Sequence, residues 1–228
     1  MYNQDVINRI VRAIGIKNKP FKIGVMVSGQ GGNLQALIDF SQTKAANFQV
    51  ASVISNNPDG VALKRAQKAL LPNHFINHRA FSNRKEFEQE IITFLDQEQV
   101  HLVVLAGFLR VLSPTFLNHF QDRIINLHPS LLPSFPGLHA IEQALAAGVS
   151  SSGCTVHIVD EGLDTGDIIG QHSCVIEPGE KIESLSAKIH QLEHALLAQV
   201  VNEIARQCLQ KSSLKELHVS AENNPTHD

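Results

Sequence analysis

The sequence predicts an α/β fold: a single domain on an open, mostly parallel twisted sheet with helices on both faces. Three observations predict it. From Phe21 onward, apolar runs of strand length alternate with segments of helical periodicity, the pattern of parallel strands joined by helical crossovers. Leu102-Val103-Val104-Leu105-Ala106 is apolar without interruption, as expected of a strand covered on both faces. Polar, glycine-bearing segments fall directly after strands, where open α/β sheets bind their ligands.

Taken in order, Val6, Ile7, Ile10, Val11 and Ile14 recur at helical spacing, so residues 4–14 predict a short leading helix outside the main fold. Gly15 punctuates it and Lys17-Asn18-Lys19-Pro20 reads as a connector, making 1–20 an N-terminal extension and 21–210 the main domain. Phe21 to Val27 is a buried strand. Asn33 to Ser41 is a helix with Leu34, Leu37 and Ile38 on one face, and Val50 to Ile54 is the next strand. A helix from about Gly60 to Leu70 leads to a short strand near Phe75-Ile76. Ser82 is placed to cap a long helix reaching Asp96, with Phe87, Ile91, Ile92 and Leu95 apolar. After the 102–106 strand, Arg123 to Asn126 is another. Beyond residue 150, Thr155 to Val159 and Ile168 to Gln171 predict a strand pair around an acidic, glycine-bearing loop. Residues 182–208 predict an amphipathic helix, and the polar stretch 211–228 a loose C-terminal tail.

Composition narrows the function. With 228 residues, 43% hydrophobic and 18% charged, the chain is long enough for a full core. Its 19 basic and 22 acidic residues give a net charge of −3, which leaves no electrostatic footprint for nucleic acid. Cys154, Cys174 and Cys208 are odd in number and form no CxxC pair, so neither a disulfide framework nor a zinc site is expected. No apolar run is long enough to span a bilayer, and the N-terminus lacks the layout of a signal peptide. A cytoplasmic protein with no metal and no membrane partner is expected, a monomer or homodimer.

The most informative segment is Ile124-Ile125-Asn126-Leu127-His128-Pro129-Ser130-Leu131-Leu132-Pro133. Alternate residues of an extended chain share a face, so Asn126 and His128 can point the same way. An amide donor beside a titratable imidazole suits acyl chemistry: one holds a developing oxyanion and the other handles protons or charge. Asp164, in the loop Asp160-Glu161-Gly162-Leu163-Asp164-Thr165-Gly166, is the carboxylate that could orient His128 and keep it cationic longer. The same loop misses the spacing of a calcium-binding EF-hand.

Other segments read two ways. Ser28-Gly29-Gln30-Gly31-Gly32-Asn33 is either a tight turn or a backbone cradle for an anion at a helix N-terminus. It is neither a Walker A motif nor GxGxxG. Arg84 alone reads as a solvated charge, and His190 with Glu193, three apart, as a surface helix face. Gly107-Phe108-Leu109-Arg110-Val111-Leu112 is either a core edge or the wall of a pocket for a flat heteroaromatic ligand.

Together, from about Phe21 to Arg206, these segments resemble the folate-dependent formyltransferases, whose sheet is Rossmann-like. The resemblance rests on Asn126-x-His-Pro-Ser-Leu-Leu-Pro and the later Asp164. Ser28-Gly-x-Gly-x-Asn-Leu-Gln35 points to the branch that acts on glycinamide ribonucleotide. The resemblance implies transfer of a formyl group from 10-formyltetrahydrofolate, as co-substrate, to the amine of glycinamide ribonucleotide in de novo purine biosynthesis. It implies a catalytic set of Asn126, His128 and Asp164, and a phosphate cradle of Gly31, Gly32 and Asn33. Arg84, Glu193 and His190 would help hold the ribonucleotide, with Gly107 and Leu109 between the two ligands. Arg110, Val111 and Leu112, with backbone of Asp160, Glu161 and Gly162, would border the pterin pocket. Three positions depart from the family pattern: Gly32 stands where Ser is common, Leu109 where Met is frequent, and His190 where Lys or Gln is usual. The rival readings are a tRNA formyltransferase, a formyltetrahydrofolate deformylase, a sugar-amine formyltransferase, or a non-catalytic folate or nucleotide binder. The first two call for further domains and, for tRNA, a basic surface.

Overall fold

A computed structural model of the chain describes residues 1–15, 20–58 and 60–222. Its centre is a seven-stranded sheet in the order β3-β2-β1-β4-β5-β6-β7. The strands are β1 (Phe21–Val27), β2 (Phe48–Ser55), β3 (Asn73–Phe75), β4 (Leu102–Leu105), β5 (Ile124–His128), β6 (Ser151–Ile158) and β7 (Ile168–Val175). The first five pair in parallel, and β5–β6 and β6–β7 are antiparallel. The expected open, mostly parallel sheet is therefore present, and its antiparallel end is the predicted strand pair around the acidic loop.

Strand alternation sorts the core into two halves. Ile23, Val25, Val27, Leu102, Val104, Ile125 and Leu127 pack on one face, against α1 (Gln4–Ile14), α2 (Gly32–Ser41), α3 (Val61–Lys68) and α7 (Ile182–Glu222). Met26, Val103, Leu105 and Ile124 pack on the other, against α4 (Arg84–Gln97) and α5 (Pro114–His119). Asn126 and His128 continue the row of Ile124 past the end of its apolar cover. Gly24 lets α4 seat directly on β1: a Cβ there would lie 2.5 Å from Cδ2 of Leu95.

Several local expectations are corrected. Helix α4 is capped by Asn83, not Ser82. Asn83 Oδ1 accepts from the Glu86 backbone N–H at 3.0 Å, and Glu86 reaches back to the Ser82 N–H at 3.3 Å. Two short helices escape the periodicity argument, α5 with six residues and α6 (Ala140–Ala146) with seven. Ser113 followed by Pro114, a capping residue and a first-turn proline, was a legible start signal for α5. Helix α7 runs 41 residues, on to Glu222, where a loose tail was expected. No Gly or Pro interrupts 182–222, so nothing in that stretch stops the helix. Residues 17–19 of the connector and 223–228 of the tail lie outside the described residues. No helix among the described residues is long and apolar enough to cross a membrane.

The leading helix is not outside the fold. In α1, Val6, Ile7, Ile10 and Val11 are all buried in the main core cluster. The Asn3 N–H donates to the Ile169 carbonyl at 2.8 Å, tying the helix to β7. Arg9 reaches Asp122 at 3.1 Å and Asp167 at 2.8 Å. The apolar stripe has a destination because β7 and α7 leave an apolar surface at that end of the sheet. Replacing Ile10 by Ala should therefore cost about 2–5 kcal/mol, the range for truncating a fully buried aliphatic side chain. Urea denaturation monitored by circular dichroism measures it. An unchanged midpoint would mean that α1 is an appendage.

Candidate active site

A cleft of about 600 Å³ opens at the C-terminal ends of β1, β4 and β5. Among its lining residues are Asn126, His128 and Asp164, together with Asn33, Gly107, Leu109, Arg110, Val111, Leu112, Asp160, Gly162, His190 and Glu193. Of the expected site residues, Gly31, Gly32, Arg84 and Glu161 do not line it. Gly31 and Gly32 form the entry to α2 beside Asn33. Arg84 donates to the Val111 carbonyl at 3.4 Å, so it stands with the 110–112 segment and not at the entry to α2.

The centre of the cleft is built around Asp164. Its backbone is in the left-handed region (φ +55°), which turns its side chain back toward β5. One carboxylate oxygen accepts from the Gly137 N–H at 2.8 Å and faces His128 Nδ1 at 3.3 Å. The other accepts from the Asn126 amide at 3.3 Å and lies 3.6 Å from His157 Nε2. Burial alone would raise the Asp164 pKa. The hydrogen bonds from His157 and Gly137 and the charges of His128 and His157 outweigh it and hold the carboxyl below its usual value.

Hydrogen-bond logic fixes the ring and amide orientations. His157 Nδ1 sits 2.8 Å from the Ile158 carbonyl and donates to it, while Nε2 lies 3.1 Å from Asn126 Nδ2 and 3.6 Å from the Asp164 carboxylate. A flipped Asn126 would turn its oxygen on the Asp164 carboxylate. His128 has an acceptor at each nitrogen, Asp164 at Nδ1 and the Phe135 carbonyl at Nε2, 2.8 Å away. A doubly protonated ring satisfies both.

Strand register and one threonine assemble these partners. Antiparallel pairing sets Asn126 opposite His157 and His128 opposite Thr155. The buried Thr155 hydroxyl donates to the Ser130 carbonyl at 2.6 Å and accepts from the Leu132 N–H at 3.1 Å. This pins the loop after β5, which then delivers the Phe135 carbonyl and the Gly137 N–H.

One end of the cleft is polar. Gly31 has φ +72°, and a Cβ there would lie 2.8 Å from the Cβ of Ala62, so only glycine permits this entry to α2. Arg65 braces the turn through the Gln30 carbonyl at 2.9 Å. Asn33 donates to Glu193 Oε2 at 3.2 Å. Glu193 is only 5% exposed, and burial pushes its pKa up against the Asn33 bond and the His190 charge. The other end is apolar. Leu109, Val111, Leu138 and Leu163 are 59–70% exposed around it, and Arg110 lies over the Phe87 ring at 5.3 Å. Among the described residues no group of three or more His, Cys, Asp or Glu is arranged to hold a metal ion.

His157 and the rim leucines Leu138 and Leu163 were missed in the sequence. A signal for His157 existed: on a strand antiparallel to β5, it is two residues from Thr155, as Asn126 is from His128. Only the register says that the two pairs face each other.

A family model described as formyl transferase matches residues 21–201. The phosphoribosylglycinamide formyltransferase of Escherichia coli (strain K12) is 39% identical over 180 residues, covering 79% of this chain and 85% of that protein. The trifunctional purine biosynthetic protein adenosine-3 of Drosophila melanogaster is 46% identical over 187 residues; the match covers 79% of this chain and only 14% of that protein. Among solved structures, glycinamide ribonucleotide transformylase 1 from Geobacillus kaustophilus superposes with a TM-score of 0.80 at 39% identity, covering 82% of this chain and 100% of that one. The phosphoribosylglycinamide formyltransferase of Coxiella burnetii gives 0.79 at 42% identity, covering 83% and 89%. The chain belongs to the formyl transferase family.

Proposed function

We propose that this chain moves the formyl group of 10-formyltetrahydrofolate to the amine of glycinamide ribonucleotide, in the cytoplasm, as a step of de novo purine biosynthesis. The observation that carries the reading is the convergence of Asn126, His128 and Asp164 in one cleft with a polar end and an apolar end. Residues 21–210 would be the working domain. The α2 entry at Gly31, Gly32 and Asn33, with Glu193 and His190, suits the phosphate and ribose of the ribonucleotide. The apolar end at Leu109–Leu112, with the 160–162 loop, suits the flat pterin. Arg84, beside Val111, is reassigned from the ribonucleotide to the folate end.

In the reaction the substrate amine attacks the formyl carbon. A C–N bond forms, the carbonyl oxygen becomes an oxyanion, and the bond from that carbon to the folate nitrogen then breaks. Asn126 donates to the oxyanion, and a protonated His128 adds a charge-assisted bond by exchanging the Phe135 carbonyl for it. Asp164 takes the amine proton, through water where needed, and passes it to the departing folate nitrogen. No enzyme nucleophile is required, and alignment of two bound substrates is itself a large part of the acceleration.

The direct test is tetrahydrofolate release from a 10-formylfolate donor, followed spectrophotometrically with and without glycinamide ribonucleotide. Release that requires the ribonucleotide is expected. Release without an acceptor would indicate a deformylase, and none in either case would overturn the transferase reading. Asn126→Asp should lower kcat by about 10²–10³, the cost of an oxyanion donor, because it also sets a second carboxylate against Asp164. Near-normal turnover would sink that role.

Because the Asp164 pKa is lowered, its charge is present above the ordinary carboxylate value near 3.9 and is lost only as the pH falls through its lower folded-state value. Its contribution therefore spans the whole neutral range. Asp164→Asn should cut kcat by about 10²–10⁴ across roughly pH 6–9. A deficit confined to acid would contradict the assignment.

A further inference from the structure

We infer that Glu88, a buried residue of α4, is a positioning residue for the formyl donor: through Ser113 it fixes the wall segment 109–112 against which the folate would lie. The inference rests on the proposed folate reading of the apolar end and adds a residue to it. Neither Glu88 nor Ser113 lines the cleft, and they are 2% and 7% exposed. One Glu88 carboxylate oxygen accepts from the Ser113 backbone N–H at 2.9 Å, and the other accepts from the Ser113 hydroxyl. The same hydroxyl oxygen accepts from the Phe116 N–H at 3.3 Å, capping α5. One serine thus ends the wall, begins a helix and is fastened to α4 by both of its hydrogen-bond donors.

The wall needs such an anchor. As far as Leu109 it is tied to the end of β1. The Ala106 N–H donates to the Met26 carbonyl, the Ser28 N–H to the Gly107 carbonyl and the Leu109 N–H to the Ser28 hydroxyl, each at 3.0 Å. Beyond that point, among the described residues, the backbone N–H groups of Arg110, Val111 and Leu112 have no backbone partner. The Val111 side chain is 61% exposed; Leu112 is buried, but an apolar contact is non-directional and does not fix register. What remains is α4. Arg84, Phe87 and Glu88 fall at i, i+3 and i+4 on one of its faces. Arg84 holds the Val111 carbonyl at 3.4 Å, Phe87 carries the Arg110 guanidinium at 5.3 Å, and Glu88 holds Ser113. The Arg84 contact is exposed, whereas the Glu88 contact is buried.

The choice of a carboxylate has a physical consequence. Among the described residues Glu88 takes part in no ion pair, so the two Ser113 donors are what offset its removal from water. An apolar side chain of similar size would be buried there without that cost. What the carboxylate adds is direction: two bonds to two donors of one residue admit one placement of Ser113. A folate lying against 109–112 then meets a wall already in place, and the cost of ordering it is not taken from binding. The ribonucleotide end, at α2 and α7, gains nothing from this contact.

The test is calorimetric titration of the full chain with 10-formylfolate and, separately, with glycinamide ribonucleotide, in the unsubstituted chain, Glu88→Gln, Ser113→Ala and the double variant. Glu88→Gln should weaken 10-formylfolate about tenfold, the value of one hydrogen bond to a charged group, and leave the ribonucleotide within about twofold. Ser113→Ala, which keeps the backbone bond, should shift the same ligand in the same direction. The double variant should bind no more weakly than the weaker single one, because the two residues act as a unit. A merely structural role would lower the number of competent sites per chain and leave both Kd values unchanged. That result would overturn the proposal, as would equal weakening of both ligands. Where Glu88→Gln does not fold, Ser113→Ala decides on the same readout. Unchanged 10-formylfolate affinity in the variants, with formyl transfer intact, would sink this inference alone. Glu88-dependent binding of 10-formylfolate with no formyl transfer would leave this contact standing and sink the proposed reaction. No binding of 10-formylfolate to the unsubstituted chain would overturn both.

Discussion

A carboxylate taken out of water must be given partners, and at this site that requirement falls on Asp164. Its side chain is 13% exposed, and an unpaired charge so placed would be strongly destabilising. The partners come from three separate pieces of chain: Asn126 and His128 at the end of β5, His157 on β6, and the Gly137 N–H from the loop between. Holding them together forces unusual backbone. Phe135, His139 and Asp164 all have φ between +55° and +61°, each a local cost of order 1–3 kcal/mol for a residue with a Cβ. Those costs sit in the two loops that wrap the carboxylate, and the Thr155 bonds to Ser130 and Leu132 help hold the first of them in place.

The rest of the fold is a frame for that cluster. The parallel strands carry apolar side chains on both faces and are covered by helices on each, so only their C-terminal ends are left open to a ligand. The antiparallel turn-back through β6 and β7 is what brings a second strand of polar residues against β5. Helix α7, packed along the sheet through Leu185, Ile189, Leu196 and Val200, delivers Glu193 to the opposite wall from far along the chain. The cleft is thus polarised along its length. Buried hydrogen-bonding groups and a helix N-terminus stand at one end, and exposed aliphatic side chains gather at the other. Isolated exposed leucines need no explanation, but several around one concavity mark a surface made to be covered.

The sequence by itself determined the alternation of strands and helices, the mostly parallel sheet, the hairpin around the acidic loop, and the Asn126–His128 pair. These are local: they depend on periodicity, on apolar runs, and on residues two apart in an extended segment. The residues also raised Asp164 as a partner for His128 and the α2 entry as an anion cradle, and the family resemblance supplied their roles. What only the tertiary structure decided lies between elements. The docking of α1 depends on a free apolar surface at β7 and α7, which its own amphipathic pattern does not specify. His157 entered the site through a strand register, Arg84 stands beside the 110–112 segment through one contact to Val111, and His194 came to Gly32 because two helices meet there. Each depends on which segments are brought within a few ångströms. That is set by burial of the whole core, while the sequence pattern of any single element records only which of its faces is apolar.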